Sequence, residues 1–203
     1  MATEAVRARP QRTPSMTVPG ILLGLGLGGF VDGIVLHQIL QWHHMLTSEG
    51  SYPKTTIAGL EANTLADGLF HASTWILAVV GVWLLWRAAR THGGVGPGRV
   101  LAGWMLFGWG LFNLVEGVVD HHLLGIHHVR EGANQTAWDL AFLALGAALL
   151  IGGWLLTRNR EGHVARDRVA GDGYVREDAD APMSSDDAGE ARRGQVTTER
   201  TNP

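Results

Sequence analysis

Apolar residues gather into four long runs separated by short polar stretches: about Val18 to Gln41, Leu65 to Trp86, Val100 to Leu124 and Ala137 to Leu156. Each is close to the roughly 20 residues a helix needs to cross a bilayer core of about 30 Å. Stretches such as Trp75–Trp86 are apolar without alternation, unlike barrel strands. Helices remain, because lipid offers the backbone no hydrogen-bond partners. The pattern predicts an all-α integral membrane protein, a four-transmembrane-helix bundle over residues 18–157. A polar arm (1–17) precedes it, and a polar, disordered cytoplasmic tail (158–203) follows. Arg7, Arg9 and Arg12 precede the first run as they would a signal peptide. The run nevertheless continues through Phe30–Leu36 without a small-residue cleavage site, and is read as an uncleaved span.

Charge orients the spans. Arg7, Arg9, Arg12, Arg87, Arg90, Arg99, Arg158 and Arg160 flank one side, and only Lys54 and Arg130 the other. The excess places both termini in the cytoplasm of a multi-pass cell-membrane protein. Trp42 and Trp138 then fall at the outer interface, and Trp86 and Trp104 at the inner one. A net charge of −3 leaves no basic footprint for nucleic acid. With no cysteine in the chain, thiolate metal sites, iron–sulfur clusters and cysteine nucleophiles are excluded.

A shift of 84 residues lays Leu22–His44 over Leu106–His128, with 11 of 23 pairs identical. The identities include Gly24/Gly108, Gly33/Gly117, His37/His121, His43/His127 and His44/His128, and Asp32 falls on Glu116. A weaker match relates Asn63–Asp67 to Asn134–Asp139. The chain reads as a duplicated helical hairpin, with units at about 18–90 and 99–158, which would bring the first and third helices together. Gly24, Gly28, Gly29 and Gly33 have the small-residue spacing that lets helices approach closely in lipid.

Eight of the ten histidines lie in or beside the outer ends of the spans, with five carboxylates among them. Ionisable groups inside a span are costly and mark function by default. At 100° and 1.5 Å per residue, Asp32 and His37 lie about 140° apart, and His37 and His44 about 10 Å apart. Neither pair can then ligate one ion, so ligands must come from different helices. His37, His71 and His121 fall at a common depth and are the primary metal candidates, with Asp32 and Glu116 deeper as ligands or orienting partners. Secondary candidates are His43, His44, Asp67, Asp120, His127 and His128. Blander roles compete. Asp67 and Asp139 have capping-box spacing from Thr64 and Thr136. His43, His44, His127 and His128 suit wet interfacial anchors, and the deeper set suits a buried polar network.

Borderline-soft histidine nitrogens favour a transition metal, zinc or iron first and copper next, over magnesium or calcium. If the chain is an enzyme, it would be a metal-dependent membrane hydrolase or oxidoreductase acting on a lipid-like or periplasmic substrate. One alternative is a redox protein with haem held between His37 and His121. Another is a metal-handling or assembly factor for a respiratory membrane complex. The implied partners are the bilayer and a membrane complex.

The strings FVDGIVLHQILQWHHM (Phe30–Met45), NTLADGLFH (Asn63–His71) and NLVEGVVDHHLLGIHHV (Asn113–Val129) resemble the DUF2243 family of predicted multi-pass membrane proteins. The similarity runs from about Val18 to Thr157. It implies a membrane fold and no particular activity.

Overall fold

A computed structural model describes residues 15–92 and 94–158, apart from the side chain of His92. The arm and tail read from the sequence lie almost wholly outside the described residues. Those described are helical, with no strand among them. Helix α1 (Thr17–Val31) runs on into a π-helical segment, Asp32–Ile39. Helix α2 spans Ile57–His92, α3 (Gly98–Glu116) runs into a second π-helical segment, Gly117–Leu124, and α4 spans Gln135–Arg158. Four helices are long and apolar enough to cross a membrane.

The second helix differs from its sequence-based bounds. It has 36 residues, about 54 Å at 1.5 Å each, and begins eight residues before Leu65. Polar residues that read as a loop are satisfied within it: Asn63 Nδ2 donates to the Gly59 and Tyr52 carbonyls, both at 2.9 Å.

Backbone contacts join α2 to α1, α1 to α3 and α3 to α4. Among the described residues α2 approaches neither α3 nor α4 within 8 Å between Cα atoms, and α1 does not so approach α4. By these contacts the helices follow the order α2–α1–α3–α4, with α1 and α3 adjacent. Glycine sets the spacing of that adjacent pair. A Cβ on Gly24 would stand 2.9 Å from Gly108 Cα and press on the Met105 carbonyl. No other residue permits that approach of α1 to α3.

Burial is inverted relative to a water-soluble protein. Among the described residues the buried large apolar ones are Met16, Leu23 and Val129, whereas eleven polar or charged residues are buried. Valines, leucines, isoleucines and tryptophans cover the outside, among them Val79, Trp83, Leu123 and Ile151. Such a surface is stable in hydrocarbon, and its interior is free to hold polar groups.

Candidate metal centre

The π-helices bring together residues that α-helical geometry separates. Their hydrogen bonds join residues five apart, so such residues stack one turn above another. In Asp32–Ile39 this places His37 Nε2 3.2 Å from Asp32 Oδ2, which corrects the 140° separation expected of an α-helix.

Both segments end in left-handed backbone, at Gln41 (φ 50°) and Gly125 (φ 60°), which are 84 positions apart. The chain then doubles back. Trp42 N–H donates to the Leu36 carbonyl at 3.0 Å, and Ile126 N–H to the Asp120 carbonyl at 3.1 Å. This return carries the following histidine pairs down against the helices. Instead of standing about 10 Å above His37, His44 has its ring centroid 6.4 Å from that of His37. His43 and His127 are 0% exposed, so they are interior groups and not wet interfacial anchors.

Asp67 and Asp139 are also not helix caps. Asp67 lies ten residues into α2, and Asp139 is the fifth residue of α4. Asp67 accepts from His37 Nδ1 at 3.0 Å, His44 Nδ1 at 2.6 Å and Met45 N–H at 2.9 Å. Asp139 accepts from His128 Nδ1 at 2.7 Å and Val129 N–H at 3.0 Å, with His121 Nδ1 3.5 Å away. Each carboxylate thus orients imidazoles through one ring nitrogen and leaves the other nitrogen free.

Two buried groups result: Asp32, His37 and His43, and Glu116, His121 and His127. In each, one donor atom per residue lies within 4.8 Å of the others. The carboxylates reach differently. Asp32 meets His37, while the longer Glu116 places Oε1 3.3 Å from His127 Nε2. The groups adjoin, with the His43 and His127 rings stacked at 4.9 Å and 9°. His37 lies 4.5 Å from His43, and His121 lies 4.9 Å from His127. His43 Nδ1 donates to the Val129 carbonyl at 2.8 Å, a bond from one half of the chain to the other. Burial lowers the His43 pKa to about 4. Burial, joined by repulsion from His43, takes that of His127 to about 3. Both rings are neutral at pH 7, the form that ligates a metal.

Of the primary candidates, His37, His121, Asp32 and Glu116 enter these groups and His71 enters neither. His71 Nδ1 donates to the Asp67 carbonyl at 2.7 Å, and its ring packs where a Cβ on Gly33 would stand. Leu143 packs in the same manner over Gly117, so this position is served equally by a hydrocarbon side chain. Among the secondary candidates His43 and His127 become members, His44, His128 and Asp67 support them, and Asp120 stands outside. The one sequence signal for His43 and His127 was their pairing in the 84-residue match.

No curated protein and no solved structure matches the chain. One family model does, described as a predicted membrane protein, and it matches residues 19–160, a range that holds both π-helices and all six donors. The chain belongs to the DUF2243 family.

Proposed function

We propose that this protein is a membrane metalloprotein whose two donor groups, Asp32/His37/His43 and Glu116/His121/His127, hold transition-metal ions. One observation carries the reading. Among the described residues, eight buried side-chain nitrogen and oxygen atoms lack a hydrogen-bond partner, and seven of them belong to these six residues. A purely structural polar network would pair such atoms, since each orphan costs about 1–3 kcal/mol. In each group one donor atom per residue lies within 4.8 Å of the others, a spacing that suits a cation between them.

Two imidazoles and a carboxylate with open positions is a donor set for non-haem iron or zinc. A bound ion would supply Lewis acidity or redox chemistry at those open positions. The chain itself supplies imidazoles, with Asp67 and Asp139 beside them, in a water-poor interior. The haem reading is less well supported, because the rings of His43 and His127 fill the space between His37 and His121. The matched contacts support descent of the two halves from one duplicated hairpin. The arginine distribution supports cytoplasmic termini, with the donor groups near the extracytoplasmic face.

Elemental analysis of the detergent-purified protein, loaded with iron or zinc and freed of loose metal, tests the proposal. We expect at least one tightly held ion per chain, lost in the His37→Ala/His121→Ala double variant. Equal metal content in the two proteins would overturn it.

A further inference from the structure

A cavity of about 270 Å³ lies over α3, between α1 and α4. Its rim includes Val31, Val35 and Leu145, which are 42%, 37% and 50% exposed. They sit within spans, so the mouth faces hydrocarbon. At the loop end Trp42 and Trp138 lie 5.2 Å apart, with the Arg130 guanidinium 5.1 and 5.8 Å from their rings. That cation–π cover separates the cavity from the loops. Besides three indoles, the polar side chains lining it are Asp32 and Asn113, 5% and 2% exposed. Asn113 Oδ1 is the eighth unpartnered buried atom, and no metal group accounts for it.

Gly28 lines the cavity, and the Trp109 indole packs where a Cβ on it would stand. At the matching position of the other half stands Phe112, whose ring packs 6.0 Å from that of Phe70.

We propose that this cavity binds an aliphatic alcohol drawn from the bilayer, its chain along the apolar walls and its hydroxyl donating to Asn113 Oδ1 beside Asp32. The volume falls below the roughly 300 Å³ of typical drug-sized pockets, which suits a narrow chain. The chemistry of the floor selects the head group. An anionic head meets the Asp32 carboxylate, an ester or ketone has no hydrogen to donate, and an ammonium must shed its hydration in an apolar cavity. The inference deepens the metal reading by naming what reaches the Asp32 group, and rests on it for any chemistry there. Binding alone is independent of metal.

The test is quenching of tryptophan fluorescence by a bromine-tipped decanol in nanodiscs, compared with bromodecane, on metal-loaded and metal-stripped protein. Trp42, Trp109 and Trp138 line the cavity and report occupancy. We expect saturable quenching by the alcohol, roughly tenfold weaker with bromodecane. Saturation should disappear in Ala141→Phe, which fills the mouth from an exposed position, and the preference for alcohol should disappear in Asn113→Leu. Should Asn113→Leu not fold, Ala141→Phe and the bromodecane comparison suffice. Quenching that rises linearly for both probes, or is unchanged in Ala141→Phe, overturns the proposal. Saturable, alcohol-selective quenching in a protein that takes up no metal would uphold the cavity and defeat the metal reading.

Discussion

The half built on α1 and α2 and the half built on α3 and α4 make the same contacts with partly different side chains. Asp67 holds His37, His44 and a backbone N–H, Asp139 holds His128 and a backbone N–H with His121 Nδ1 3.5 Å away, and Phe70 and Phe142 each lie against the inner histidine of their half. The halves part at Asp32 and Glu116, at Gln41 and Gly125, at His71 and Leu143, and at Gly28 and Phe112. Positions that agree fix the direction of an imidazole. Positions that differ set carboxylate reach, backbone strain, packing and access. Orientation of the donors is therefore the shared requirement, while Gly28 lines the cavity between α1 and α4 and its counterpart Phe112 packs against Phe70.

Removing the orienting carboxylates tests that division most severely. Asp67→Asn should weaken metal binding by about 10- to 100-fold, measured by competition with a chromophoric chelator. Asp139→Asn should cost less, since His121 Nδ1 stands 3.5 Å from its carboxylate against 3.0 Å for His37 and Asp67. Equal losses would erase the distinction between the halves. The left-handed positions come next. A non-glycine residue there costs about 1–2 kcal/mol, so Gly125→Gln should lower, and Gln41→Gly raise, the unfolding midpoint in a detergent titration. The smallest effect belongs to His71→Leu, which copies Leu143 of the other half. Metal content should not change, and a loss of metal would return His71 to the ligand set.

The sequence announced the membrane fold clearly, because four runs of apolar residues admit few other readings. Pairing of α1 with α3 was also legible, from matched glycines. The full order of contacts was not, since hydrophobic runs do not specify which helices touch. At the site, residue identities were legible and their geometry was not. Projection on an α-helix put Asp32 and His37 on different faces and left His43 and His127 at the mouth. Two features reversed this, the π-helices and the left-handed turns at Gln41 and Gly125, and only the glycine had a local signal. Capping-box spacing suits Asp67 and Asp139 to helix starts and says nothing about what faces a helix from another segment.

X-ray absorption at the edge of the bound metal interrogates the paired donor groups most directly. The account predicts nitrogen and oxygen neighbours at about 2.0–2.2 Å, with outer-shell imidazole scattering that weakens when His43 or His127 is replaced by alanine. An ion surrounded by oxygen alone, or an imidazole signal indifferent to both replacements, would contradict it.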